Sequence, residues 1–293
     1  EAGELDLRLW VMARRPYEEL AANLDSRFPI IDAGNGFFSC RAIKSEVDGA
    51  LGAFGAWLLA PYDDKPDFVG QNTTLLETVD SIAGLAREKG MQLCVHAIGD
   101  RANQEVLNLF EKHYEIGGPG DYRWRIEHSQ HLDVADIPRF GGLGVIASMQ
   151  AIHCTSDAPF VVKRLGVERA RTGAYPWRSL LDAGAVVTNG TDAPVEDVDP
   201  LESLYATVTR QRPDSGLEFF PEQAMTREEA IYSYTMANAY AGFEEDQKGS
   251  LSVGKVADLV MLDHDLSTCT TEEILETEVL MTMVGGVVKY RQE

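Results

Sequence analysis

Five polar side chains stand where short apolar runs end. The run Leu93, Cys94, Val95 stops at His96, "YRWRIEH" stops at His128, "LGVIASMQ" at Gln150 and "SCRAIK" at Lys44, while "AVVTNGTD" leads out to Asp192. Imidazole and carboxylate are the groups that hold zinc or a similar divalent ion, so His96, His128 and Asp192 form a candidate ligand set. Each residue alone also has a plain structural reading. A histidine at a strand end is often just hydrogen-bonded, Asp192 can open a turn ahead of Pro194, and Lys44 can be a solvated surface lysine. Taken together they point to a metal, because independent structural residues need not all fall at strand exits.

These positions matter only if the chain brings them to one face. Short runs alternate with longer helical periods, which predicts strands at 7–13, 39–44, 91–96, 122–128, 143–150 and 185–190. Helices are predicted at 16–24, at 74–90 with Asn72 or Thr73 as cap and Gly90 at the end, at 101–113, near 133–140, at 177–184, near 200–210 and at 226–241 with Thr226 and Glu229 as a capping pair. Residues 151–176 read as a long loop. The β-α rhythm predicts an α/β fold with a parallel sheet and helices outside it. A (β/α)8 TIM-type barrel is its natural form, with the reactive face at the C-terminal strand ends. Six strands rather than eight imply that the N-terminal strands are missing from this chain. The tail differs: 249–266 and 278–291 are valine-rich, glycine-punctuated strands without crossover helices. The expected organisation is therefore an incomplete barrel over 1–245 and the C-terminal part of a β-sandwich over 246–293.

The chain has 293 residues, 44% of them hydrophobic, which is enough for a core of its own. A net charge of -21 argues against nucleic-acid binding through a basic surface. No apolar run approaches the roughly 20 residues that span a bilayer, so no membrane partner is expected. Neither GxGxxG nor GxxxxGK[ST] occurs, which leaves nucleotide folds without support. Cys40, Cys94, Cys154 and Cys269 include no close pair, so a reducing, cytoplasmic compartment is expected, with Cys94 as a small core residue. Glu1 is not a natural start, and an upstream leader is left open.

The segments "IKSEVDGALG" (43–52), "VHAIGDRA" (95–102), "RIEHSQ" (125–130), "NGTDAPV" (189–195) and "GSLSVGKVADLVMLD" (249–263) occur in that order. Together they resemble the amidohydrolase superfamily, and within it the YtcJ-like (amidohydrolase 3) branch. "DGALGAF" departs from the branch's usual "DGSLGSR". The resemblance implies a (β/α)8 barrel with a sandwich built from both chain ends. It matches Lys44 to a bridging, often carboxylated lysine, His96 and His128 to the two later metal histidines, and Asp192 to the metal-bound aspartate. The family's HxH pair has no match: none of the six histidines is separated from another by one residue. That agrees with the strand count and implies that the first part of the barrel lies outside this sequence.

The implied activity is hydrolysis of a non-peptide C–N bond, an amide, N-acyl or N-formyl group of a small molecule, with one or two divalent ions, zinc first. A bound metal lowers the pKa of water from about 15.7 to about 7 and polarises the carbonyl. Asp192 would take the nucleophile's proton and pass it to the leaving nitrogen. Lys44 could ligate only when carboxylated, since an ammonium repels a cation. Otherwise a one-metal site of His96, His128 and Asp192 is the fallback. His153, after "LGVIASMQ", would bind the substrate carbonyl or else pack in its loop, with Asp157 orienting it. Asp100 is expected to cap its helix, Arg101 to bind a carboxylate or pair with a neighbour, and Arg125 and Glu127 to face the barrel wall or stand just behind the ligands. His131 is expected near His128, His113 and His264 in solvent, Trp124 and Trp177 in the core, and Trp57 in the core or the pocket. Two rival readings stand: a deaminase on the same scaffold, and a non-catalytic binding or regulatory protein on a degenerate barrel. An open barrel would expose two sheet edges, so self-association, including a homo-oligomer, is expected.

Overall fold

The computed structural model describes residues 5–293, and its contacts divide the chain into two units. The first runs to Met149 and takes up again over Pro159–Val186, and the second comprises Gln150–Ala158 and Val187–Glu293. In chain order the first unit contains β1 (Leu9–Ala13), α1 (Tyr17–Asn23), β2 (Ile30–Asp32), a helical turn α2 (Ala33–Gly36), β3 (Phe38–Glu46), α3 (Leu76–Lys89), β4 (Gln92–Ala97), α4 (Asp100–Gly117), β5 (Arg125–His128), α5 (Ile137–Leu143) and β6 (Ile146–Met149). Helix α6 (Ala151–Leu165) begins in the second unit and ends in the first, which closes with α7 (Val167–Gly173) and α8 (Trp177–Asp182).

The sheet of this unit runs β1, β3, β4, β5, β6, all parallel, with the short β2 antiparallel to β3. Its register sorts the side chains. Ile43 pairs with Leu93, Val95 with Ile126 and Ile126 with Ala147. All five are fully buried, each of the larger ones worth about 1.5–3 kcal/mol. Lys44 pairs with Cys94, Glu46 with His96, Cys94 with Arg125, His96 with Glu127 and Glu127 with Ser148. Because side chains alternate along a strand, one face is continuously apolar and the other carries the polar groups. Helix α3 packs on β3 and β4, and α4 on β4. Val79, Ile82, Ala83 and Ala86 are the buried stripe of α3, and Ala102, Val106 and Phe110 belong to that of α4.

Several expectations change here. Helix α3 starts at Leu76 after Leu75, so neither Asn72 nor Thr73 is its cap, while Gly90 does end it in the left-handed conformation. The expected loop at 151–176 is largely the two helices α6 and α7. Pro159 inside α6 hid it from the reading. Without an N–H, proline leaves the carbonyl four residues back open, and that carbonyl, Thr155 O, accepts from Arg212 Nη1 at 3.3 Å. His113 is buried rather than exposed. It continues the Val106, Phe110 stripe, and its Nε2 lies 2.8 Å from Asp80 Oδ1 on α3.

In the second unit follow β7 (Val187–Asn189), α9 (Pro200–Thr209), α10 (Arg227–Tyr234), α11 (Met236–Ala241), β8 (Leu259–Leu262), α12 (Thr271–Glu276), β9 (Val279–Val284) and β10 (Val287–Arg291). Thr226 and Glu229 form the expected capping box. The helix expected over 226–241 breaks at Thr235 into α10 and α11. The tail is a three-stranded antiparallel sheet, β10, β9, β8. Gly285 and Gly286, both with positive φ, make the tight turn between β9 and β10. The strand expected over 249–266 shrinks to β8, and α12 intervenes before β9.

Trp124 anchors the first unit. It is fully buried, donates from Nε1 to Met91 O at 3.3 Å and meets Phe110, Tyr114 and Tyr122 with ring centroids within 5.8 Å. Trp124→Ala should lower stability by about 3–5 kcal/mol in denaturant unfolding. A loss below about 1 kcal/mol would mean that this cluster does not hold the unit.

Candidate functional site

The polar face of the parallel sheet is the start of the site. Arg125 Nε lies 2.7 Å from Glu127 Oε1, and Ser148 Oγ donates to Glu127 Oε2 at 2.7 Å. Arg125 Nε also reaches Cys94 Sγ at 3.2 Å, and its guanidinium sits 4.7 Å above the Trp10 ring. Burial alone would raise the Glu127 carboxyl, but the Arg125 and Lys44 charges and the Ser148 hydroxyl hold it below its usual range. Burial pushes the Cys94 thiol up to about 12, so it stays protonated. Arg125 and Glu127 are thus a buried charged wall, as expected of them, and the pair is ionised.

Lys44 shares this face, although not at the strand exit. β3 continues through Ser45 and Glu46, because Glu46 still pairs with His96 on β4. Lys44 instead lines a cavity of about 400 Å³ with Arg14, Glu46, Thr74 and Thr78, where Arg14 is ion-paired to Glu46.

His96 and His128 come together. Strict alternation would turn His128 to the apolar face of Ile126. Positive φ angles at His128 (76°) and Ser129 (45°) end the strand and redirect the chain. The His128 ring then stands edge-on to His96, with centroids 4.5 Å apart. Burial first, then the charges of His128, Lys44 and Arg14, push His96 down to about 2. His96 is therefore neutral, the form in which imidazole ligates a metal.

Sequence reasoning missed the residue that holds this corner. The Asp48 side chain is fully buried. Its Oδ1 accepts from Ile98 N at 2.9 Å, and its Oδ2 from Gly99 N and Trp57 N, both at 2.8 Å. Burial raises its carboxyl to about 7 against those three donors. The signal was the acidic residue inside "VDGALG", flanked by glycine. Gly99 explains the glycine in "HAIGD": a Cβ there would lie 2.1 Å from Trp57 O. Asp100 is not a cap. It is the first residue of α4, and its Oδ1 accepts from Leu59 N at 2.8 Å, tying the same loop to the helix. Arg101 pairs with a neighbour, Glu105, at 3.4 Å and lies 4.9 Å above the half-buried Trp57 ring.

His131 is 2% exposed, packs edge-on against Tyr175 at 5.4 Å, and has no hydrogen-bond partner at either ring nitrogen among the described residues. Burial, then the Arg169 charge, push it down to about 3.

In the second unit Asn189, at the end of β7, organises the strand exit. Its Oδ1 accepts from Ala151 N at 2.9 Å and its Nδ2 donates to Thr207 Oγ1 at 3.1 Å. Asp192 has a positive φ of 58° and does open a turn, with Val195 N donating to its carbonyl at 2.8 Å. Its carboxylate Oδ2 also lies 3.9 Å from Nε2 of the buried His153, in the first turn of α6. The same aspartate thus serves a turn and faces a histidine. Gln150 is buried immediately after β6.

A parallel α/β unit that gathers the neutral His96 and the ring of His128 at its strand ends has the layout of a hydrolase scaffold. The amidohydrolase family profile matches residues 2–290. The chain belongs to the amidohydrolase family. It is 34% identical over 253 residues to the putative amidohydrolase YtcJ of Bacillus subtilis, covering 86% of this chain and 47% of that protein. It is 30% identical over 232 residues to the N-substituted formamide deformylase of Arthrobacter pascens, covering 79% and 42%. In structure it resembles an uncharacterised metal-dependent hydrolase of Pyrococcus horikoshii, with a TM-score of 0.80, 27% identity, and coverage of 92% of this chain and 53% of that one. The chain spans about half the length of these relatives. No helix among the described residues is long and apolar enough to cross a membrane.

The buried histidines set a pH dependence. Both His96 and His131 have folded-state values below the unfolded value of about 6.5, so the unfolded chain takes up protons that the native one refuses. Their contribution is intact above about pH 6.5 and falls below it, by about 1.4 kcal/mol per pH unit for each. The raised Asp48 carboxyl acts in the opposite direction below about pH 7. Comparing His131→Leu with the parent removes that complication. Between pH 6 and pH 4.5 the variant's unfolding free energy should depend on pH less steeply, by about 1.4 kcal/mol per unit. Equal slopes would show that His131 titrates normally in the fold.

Proposed function

We propose that the protein containing this chain is a metal-dependent amidohydrolase that cleaves a non-peptide C–N bond, an amide, N-acyl or N-formyl group, of a small molecule. The observation that carries this is the pair of strand-end imidazoles, His96 held neutral by its surroundings and His128 turned onto it at 4.5 Å. Family membership supports the reading, and the deformylase relative supports the formyl and acyl class. The donor set that the family resemblance implies for a divalent ion, zinc in the first place, is His96 and His128 through ring nitrogen, Asp192 through carboxylate, and Lys44 once carboxylated. Uncarboxylated, Lys44 would place a positive charge on the same face, and a single ion would be held by the other three. When bound, the ion supplies an acidified water and a polarised carbonyl.

The chain's own residues do the remainder. Asp192, 38% exposed at its side chain, is open to solvent and substrate, and it receives the nucleophile's proton and returns it to the leaving nitrogen. His153 donates a hydrogen bond to the scissile carbonyl. The buried Arg125 and Glu127 pair keeps the wall beneath the histidines charged, rigid and free of bulk water. We further propose a (β/α)8 barrel for the whole protein, with residues 1–245 forming part of it and 246–293 part of a β-sandwich. A cytoplasmic site fits its four free cysteines, and a homo-oligomer belongs to the same proposal.

Elemental analysis of the full-length protein should find about one or two equivalents of divalent metal. Asp192→Asn should bind it at least about tenfold more weakly, since loss of even an outer partner of a ligand costs about that much. A panel of N-acyl and N-formyl compounds should then yield a hydrolysed substrate. No bound metal, and none taken up from zinc with bicarbonate, would contradict the proposal.

A further inference from the structure

We propose that Asp48 is the positioning residue of His96. Its carboxylate accepts the Nε2–H of the His96 ring, fixes the tautomer, and leaves Nδ1 as the nitrogen offered to a cation. Only the identity of what meets Nδ1 rests on the metal reading above.

A carboxylate has about four acceptor directions. Three on Asp48 are filled by backbone amides: Trp57 N and Gly99 N on Oδ2, and Ile98 N on Oδ1. The open direction is therefore on Oδ1, and His96 Nε2 lies 3.6 Å from that same atom. That nitrogen is buried and has no hydrogen-bond partner among the described residues. The gap is a few tenths of an ångström beyond a hydrogen bond, whose usual range is about 2.7–3.2 Å, and a small ring rotation closes it. The drive to close it is the cost of a buried donor left unpaired.

The backbone points the same way. Val47 N, next to Asp48, donates to His96 O at 3.0 Å. Residues 47 and 48 thus hold both the carbonyl and the ring of His96, while Asp48 also binds the first residues of the turn that follows. A histidine offered to a cation commonly donates its other N–H to a carboxylate, which sets ring orientation and basicity. Asp48 is the buried carboxylate placed for that task.

The test is long-range 1H–15N NMR of the full-length protein labelled with 15N-histidine, with His96 assigned by His96→Gln. Metal-free at pH 8, His96 should be the Nε2–H tautomer. On adding zinc, Nδ1 should move to a metal-bound shift while Nε2 keeps its proton. Asp48→Asn, whose amide cannot accept there while still receiving the amides at the other oxygen, should lose the tautomer preference and bind zinc about 10–100-fold more weakly. The proposal is overturned by an Nδ1–H tautomer in the metal-free protein, by zinc on Nε2, or by a folded Asp48→Asn with parental tautomer and affinity. The parental spectra decide even if the variant does not fold. If zinc fails to bind the parent, the metal reading falls, and the metal-free tautomer still decides the role of Asp48.

Discussion

Parallel register combined with two-residue alternation is the constraint from which the first unit follows. Once Ile43 is paired with Leu93 and Val95 with Ile126, the intervening residues have no choice of face. Lys44, Cys94, His96, Arg125, Glu127 and Ser148 are then neighbours whether or not their charges agree. The strong apolar burial on one side fixes the register, and a slip by one residue would exchange the two faces. The polar face is thereby held by packing that is not itself polar.

A buried charged face has a cost, and the structure meets it by pairing. Arg125 and Glu127 neutralise one another, with Ser148 and Cys94 taking up remaining directions. Breaking such a pair strands a charge in a poorly solvated place, which costs far more than the pair contributes. The same surroundings keep His96 neutral, with a single ring proton. Its usefulness as a ligand and its reluctance to be charged have one physical origin.

Much of this was legible from the order of residues, for identifiable reasons. The apolar runs ending at His96 and His128 and the capping pair at Thr226 are local patterns, and local patterns survive folding. Lys44 was misjudged as a strand exit because the end of β3 is set by its pairing with β4, which is not a local property. Helix α6 was lost because Pro159 signals a break, while the carbonyl it leaves open is supplied from Arg212, far along the chain. His113 needed the stripe of α4 and its partner Asp80 on α3 to be read as buried. Asp48 was invisible as an organiser because its three donors come from residues 9 to 51 positions away. An aspartate before a glycine reads as a turn until the fold shows where its oxygens point.

The most direct measurement of the central claim is X-ray absorption at the metal edge of the purified full-length protein. The account predicts a first shell of nitrogen and oxygen at about 2.0–2.1 Å with outer-shell scattering from imidazole rings. A shell containing sulfur at about 2.3 Å, or one without imidazole scattering, would contradict it.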